Sequence, residues 1–306
     1  MKRRQFLQAS GLGFAATVIA PGVARAQAPV ANTMAWGSMT RAARDAAYNS
    51  GAAVSGSAQI IDGWVAASAT FRSQRSKHVD LAYGPGERNK WDLFPSDNPK
   101  APCLVHIHGG YWQNRNREVF SCFAEGVLAR GWSAALPGYT LAPNATLTQI
   151  VGELRNALDW LADQGSLHGI AGPVILSGWS AGGHLAALLL DHPSITAGLA
   201  ISGIFELGPI RDTYLNERLK LTDEEIATLS PLRLPSIGKP LAISYGTAEL
   251  PVLVRNSREY HAHRARSHQP GPLIPIPNAN HYNLESLRSP NGILTRAALR
   301  LVEDAA

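Results

Sequence analysis

The sequence predicts an α/β fold, a mostly parallel sheet covered by helices on both faces. Three observations predict it. Short apolar runs rich in branched residues alternate with longer stretches of helical periodicity along most of the chain. The short runs are apolar throughout, as in strands buried on both faces, and do not alternate as they would with one face in water. Hydrophobic residues make up 45% of the 306 and charged residues only 17%, with 28 glycines and 20 prolines. Against ~25% charged in an ordinary soluble domain, that describes a large core crossed by many tight turns.

Residues 1–26 stand apart from this pattern. Lys2, Arg3 and Arg4 precede Phe6 and Leu7, then an apolar stretch at 11–20, then Ala24-Arg25-Ala26. A charged start, a short apolar middle and a small-x-small end describe an export signal too short to span a bilayer. The arginine pair followed by x-Phe-Leu resembles the twin-arginine type. The expected mature chain is therefore 27–306, a single domain exported to the periplasm or beyond. Without the signal, 24 basic residues face 23 acidic ones. A net charge of +1 gives no reason to seek nucleic acid, and no apolar run approaches the ~20 residues that stable membrane insertion needs.

Within 27–306, the Ala-, Ser- and Gly-rich stretch 32–74 predicts helices packed at the entrance to the fold. Strands are expected at 103–107, 133–136, 174–177, 198–202, 241–245 and 273–276. Helices are expected at 118–130, 147–164, 182–190, 251–263 and 291–302, the second carrying Ile150, Leu154, Leu158 and Leu161 on one face. Residues 206–235 follow a strand without continuing the alternation, and predict a small helical cap above the sheet. Cys103 and Cys122 both fall in segments expected to be buried, where two small apolar core residues are the simpler reading than a bridge.

The strongest motif is Gly178-Trp179-Ser180-Ala181-Gly182-Gly183, directly after the strand expected at 174–177. Gly-x-Ser-x-Gly between a strand and a helix holds a serine in a strained elbow with its oxygen exposed above the sheet. A second motif, His106-Ile107-His108-Gly109-Gly110-Tyr111-Trp112, ends the first long strand. Acyl transfer needs backbone N–H groups aimed at a developing oxyanion, and by position the donors are Gly110, Tyr111 and Ala181. His106 and His108 could instead form a His-x-His metal pair on one strand face, but this needs further ligands at the same strand end.

A serine nucleophile needs a base oriented by an acid, and in α/β-hydrolases the chain order is Ser, acid, His. Glu249 follows the strand at 241–245, and His281 follows the strand at 273–276. Asp223, Glu224 and Glu225 also lie between nucleophile and base, but read as a helix start after Thr222. His261 and His263 sit in a polar helical run and read as surface residues. His184 reads as packing at the start of the elbow helix. Tyr111, Trp179 and Tyr282 each adjoin a reactive position and are the pocket residues for a flat substrate; Trp112 and Phe205 fit core or pocket equally.

HGGYW at 108–112 and GWSAGG at 178–183 resemble the serine-dependent kynurenine formamidases, or arylformamidases, within the esterase/lipase branch of the α/β-hydrolases. The resemblance continues through Tyr83-Gly84, residues 91–94 and 139–143, residues 202–207, Leu215-Asn216 and Ser230-Pro231. It implies an α/β-hydrolase fold with nucleophile, acid and base on Ser180, Glu249 and His281, the acid being Glu in place of Asp. It also implies hydrolysis of an aryl formamide such as N-formyl-kynurenine, without a metal or cofactor. Family members of the tryptophan pathway act in the cytoplasm, so an export signal points toward an exported hydrolase of small-molecule esters or amides. A non-catalytic binding protein on a hydrolase scaffold is the reading from another class.

Overall fold

Every strand expected from the sequence is present in the computed structural model, which describes residues 36–269, 271–282 and 284–303. The export signal read at 1–26 lies outside the described residues. In chain order the strands are β1 Leu81–Ala82, β2 Lys90–Phe94, β3 Cys103–Ile107, β4 Ser133–Pro137, β5 Val174–Trp179, β6 Ile195–Ile201, β7 Leu241–Gly246 and β8 Leu273–Ile276. They form one sheet in the order β1-β2-β4-β3-β5-β6-β7-β8. β1 and β2 run antiparallel, and β4 onward is parallel.

The sheet is covered on both faces, and its strands show why their sequences are apolar throughout. Along β3, Cys103, Val105 and Ile107 enter one core cluster while Leu104 enters the other. Helices α1 Arg41–Tyr48, α2 Ser50–Ala53 and α3 Ser57–Ser73 precede the sheet. α3 covers one face through Ile61, Trp64 and Phe71. α4 Glu125–Leu128 follows β3, and α5 Leu147–Gln164 and α6 Ala181–Leu188 cover the opposite face. Thr146 starts α5 through a capping box with Gln149, satisfying two orphan N–H groups at once. Between β6 and β7 lie three short helices, α7 Gly208–Arg211, α8 Asn216–Leu219 and α9 Asp223–Leu229, where the cap was expected. α10 Pro251–Arg266 and α11 Ile293–Glu303 complete the order.

Three expectations need correction. The stretch 118–130 is not one α-helix: Arg117–Ala124 is a 3-10 helix that continues into the single turn of α4. The strand expected at 198–202 runs Ile195–Ile201, and Ser202 leaves it with φ 51°, its N–H bonded to the Ser244 carbonyl at 2.7 Å. β1 and β2 were not anticipated. β2 reads Lys-Trp-Asp-Leu-Phe and buries Asp92 completely, so a charge interrupts the apolar run that marks the other strands. The charge is tolerated because Asp92 Oδ1 accepts from Arg72 at 3.2 Å, Arg117 at 3.1 Å and the Asp80 N–H at 3.1 Å.

Candidate active site

β5 ends by reversing sharply into α6 at Ser180, which holds φ 58° and ψ −118°. Such a conformation is costly for a residue with a side chain and is kept only where surrounding structure imposes it. The imposing contacts are close backbone approaches on both sides. A Cβ on Gly178 would sit 2.1 Å from the Gly182 carbonyl, and one on Gly182 would sit 2.0 Å from the Ile107 carbonyl. Only glycine allows strand, turn and helix to fold back this tightly. The result is a serine hydroxyl at the C-terminal edge of the sheet, beside β3, where the strand order changes direction.

Two loops bring the partners. His281 follows β8 and Glu249 follows β7, and both are buried. His281 Nε2 lies 3.1 Å from Ser180 Oγ, and His281 Nδ1 lies 2.8 Å from Glu249 Oε2. A carboxylate only accepts, so Nδ1 carries the proton and Nε2 is free to receive one from Ser180. The second carboxylate oxygen is also occupied: Glu249 Oε1 accepts from Ser202 Oγ at 2.5 Å and from the Gly246 N–H at 2.6 Å. Burial pushes the Glu249 carboxyl up, but the hydrogen bond and charge of His281, with Ser202 and Gly246, outweigh it and hold the group below the usual carboxylate range.

The loop after β3 packs directly on the elbow. A Cβ on Gly109 would meet the Trp179 carbonyl at 2.6 Å and Ser180 Cβ at 3.1 Å. Gly110, Tyr111 and Trp112 all have positive φ, 112°, 50° and 59°. Among the described residues, the N–H groups of Gly110, Tyr111 and Ala181 engage no protein acceptor. The arrangement leaves donors on both sides of Ser180 able to receive a developing oxyanion.

Ser180 and His281 open on a cavity of about 690 Å³. Tyr111, Trp179 and Tyr282 all line it, so the structure brings the three expected pocket residues together. Trp112 and Phe205 are fully buried in the core. Tyr111 donates its hydroxyl to the Tyr48 carbonyl at 2.6 Å, tying the loop to α1. Trp64 of α3 packs edge-on against Trp179 at 5.6 Å between ring centroids.

His106 and His108 are buried. His106 Nδ1 lies 3.3 Å from Ser177 Oγ, while His108 Nδ1 donates to the Gly109 carbonyl at 2.8 Å and its ring stacks on Tyr139 at 4.2 Å. Among the described residues there is no group of three or more His, Cys, Asp or Glu able to hold a metal ion. His184 is buried and donates Nε2–H to the Leu229 carbonyl at 2.7 Å. Asp223, Glu224 and Glu225 start α9, with Thr222 and Glu225 forming a capping box. His261 and His263 are half-buried and so not simple surface residues, because His263 reaches the Leu234 carbonyl at 3.0 Å. Cys103 and Cys122 are buried and unbridged. Sequence reasoning gave no role to Ser202, Trp64 or Tyr48, since each acts through a contact more than forty positions away.

Fold and site together define an α/β-hydrolase of the esterase and formamidase kind. The BD-FAE family model matches residues 92–192. A kynurenine formamidase of Danio rerio is 29% identical over 248 residues, covering 76% of this chain and 84% of the fish protein. One of Salmo salar is 30% identical over 244 residues, covering 73% of this chain and 81% of its own length. The chain belongs to the kynurenine formamidase family. Among solved structures, a putative thioesterase of Silicibacter sp. TM1040 superposes with TM-score 0.75 at 28% identity, covering 83% of this chain and 98% of that one. Esterase B of Lactobacillus rhamnosis shares the fold, with TM-score 0.63 at 16% identity, covering 81% of this chain and 93% of its own.

Proposed function

We propose that the protein is an exported serine hydrolase that cleaves a carboxylic ester or an aryl formamide through an acyl-enzyme on Ser180. The observation that carries the reading is the unbroken hydrogen-bonded line from Ser180 Oγ through both nitrogens of His281 to Glu249. Ser180 Oγ attacks the carbonyl carbon as its proton passes to His281 Nε2. Glu249 stabilises the imidazolium so formed. The N–H groups of Gly110, Tyr111 and Ala181 receive the oxyanion. Collapse expels the alcohol or amine, which takes its proton from His281, and leaves an acyl-serine. Water, deprotonated by His281, then attacks the acyl-serine and releases the acid, returning the proton to Ser180.

Hydrolysis of N-formyl-kynurenine itself is the second reading, favoured by relatives that bear that activity in their names. The export segment at 1–26 favours esters or amides met outside the cytoplasm. The deciding experiment compares kcat/KM for N-formyl-kynurenine and for a short-chain aryl ester, with Ser180→Ala as the control. A clear formamide preference selects the second reading. Ester cleavage with negligible formamide turnover selects an exported carboxylesterase. Failure of Ser180 to label with a fluorophosphonate overturns the acyl-enzyme and favours a binding protein on this scaffold. Export is tested separately by cell fractionation of Arg3→Lys/Arg4→Lys, which should retain the protein inside.

A further inference from the structure

Two histidines meet on the antiparallel side of the sheet. His78 ends the 3-10 turn Ser76–His78 after α3, and His168 ends the 3-10 turn Gly165–His168 after α5. Their Nδ1 atoms lie 3.2 Å apart although 90 positions separate them in the chain, and the rings stand 5.3 Å apart and nearly perpendicular. β1 pairs with β2 only at Lys90 and Trp91, so among the described residues the outer edge of β2 from Asp92 to Phe94 has no strand beside it. Phe94 pairs with Ala134 at the start of β4, and a Cβ on Gly169 would meet Pro95 Cβ at 3.1 Å. The pair therefore sits where β1 stops, toward the N-terminal edge of the parallel strands, whereas Ser180 lies at their C-terminal edge.

Both imidazoles are held in place from opposite faces of the sheet. Trp160 of α5 stacks on the His168 ring at 5.5 Å and packs against one core cluster, while Val79, next to His78, packs against the other. Among the described residues each Nδ1 has the other as its hydrogen-bond partner and no third group joins them. One Nδ1 then carries the proton and the other accepts it. Burial, with Lys77 and His168 beside it, holds His78 below the ordinary imidazole range, so its ring is neutral near pH 7 and offers a lone pair. Two zinc–nitrogen bonds of ~2.0–2.1 Å at a tetrahedral angle hold their nitrogens about 3.3 Å apart. The 3.2 Å between the two Nδ1 atoms already matches that span.

We propose that His78 and His168 form a binding site for a divalent transition-metal ion of the zinc class, held by both Nδ1 atoms and completed by water. On binding, the proton between the rings passes to Nε2 of the ring that carried it. Both Nδ1 lone pairs then reach the metal, and each imidazole keeps one proton and stays neutral. The bound ion staples the segment after α3 to the end of α5 and closes the uncovered edge of β2. It acts on stability, because an ion held by the folded chain and not by the unfolded one raises the melting temperature. Imidazole nitrogen suits zinc, nickel and copper, whereas magnesium takes oxygen ligands. The site does not depend on how Ser180 reacts.

The test is calorimetry of the full chain with zinc chloride, with magnesium chloride as the control ion. Zinc should bind at a site that magnesium does not occupy. His78→Gln/His168→Gln should weaken that binding by at least about tenfold, since loss of even a residue that supports a ligand costs a metal site that much. His261→Gln/His263→Gln, on α10, should bind zinc as the wild type does. Zinc should also raise the melting temperature of the wild type and leave that of the His78/His168 double variant unchanged. X-ray absorption on the zinc-loaded wild type reads the ligands without any variant, and should show two imidazole nitrogens with oxygens filling the shell. No binding at millimolar zinc, unchanged affinity in the double variant, or a shell with fewer than two imidazoles overturns the site and leaves the two rings as a hydrogen-bonded pair.

Discussion

Trp179 and His281 are joined twice. The indole Nε1–H donates to the His281 carbonyl at 2.8 Å, and the two rings lie 4.8 Å apart between centroids. Trp179, directly before Ser180, therefore holds His281 from behind, through both backbone and ring. Trp179→Phe keeps an aromatic surface but loses the donor. It should lower kcat by about tenfold with little change in KM, as expected when one buried hydrogen bond that positions a reacting group is removed. Steady-state kinetics on an aryl ester checks this.

Ser180→Ala should reduce kcat by on the order of a million-fold, the scale for losing a serine nucleophile. The fold should survive, because removing the hydroxyl leaves the elbow contacts of Gly178 and Gly182 in place. A thermal melt beside the rate measurement separates loss of chemistry from loss of structure. Retention of activity within tenfold would rule out the acyl-enzyme.

Glu249→Gln should cost about ten-thousand-fold in kcat, since an amide no longer holds the imidazole in the tautomer that accepts from Ser180. Glu249→Asp shortens the reach by one methylene and should lie between that variant and wild type. Both are read from kcat at saturating ester.

Ser202→Ala removes the 2.5 Å donor to Glu249 and should lower kcat about ten- to hundredfold. Ser202→Gly also lacks the hydroxyl but relieves the positive φ of 51°. Equal losses in the two variants, with the glycine variant melting no lower than the alanine one, would assign the effect to the hydroxyl. A loss confined to Ser202→Ala would assign it to the backbone.

Acid stability follows from the buried histidines. Burial pushes His106 and His184 down to about 4 and His108 to about 3, against ~6.5 in an unfolded chain. Between those values the unfolded state binds the extra protons, so stability rises with pH. The full contribution is present above pH ~6.5, and by pH 4 the loss is on the order of 3 kcal/mol for each of the three. Glu249, held low in the fold, adds a further loss below its unfolded value of ~4.3. Urea midpoints should therefore fall steadily from pH 6.5 to 4, and His106→Gln should flatten the slope.

The parallel part of the sheet was readable because each strand is a continuous apolar run set between glycines and helical periods. The meeting of Ser180, Glu249 and His281 was readable because their spacing follows the order of the strands that carry them. β1 and β2 escaped notice because Asp92 breaks the apolar run, and only the fold brings Arg72 and Arg117 to neutralise it. Ser202 and Trp64 escaped for a related reason. Nothing local distinguishes a strand-end serine or a helix tryptophan from any other, and their importance lies in partners supplied by distant segments. The 3-10 geometry of Arg117–Ala124 was equally invisible, since its apolar pattern also fits an α-helix.

The Asp92 cluster lies on the antiparallel side of the sheet, far from any reacting atom in sequence, yet it fixes the placement of α3. Arg72 anchors one end of that helix to Asp92, while Trp64, two turns earlier, supports Trp179 and hence His281. The alignment of His281 therefore leans on a buttress built from residues that touch neither it nor Ser180 or Glu249. Damage to that buttress would reach the imidazole as a loss of alignment, with every reactive group still in the chain.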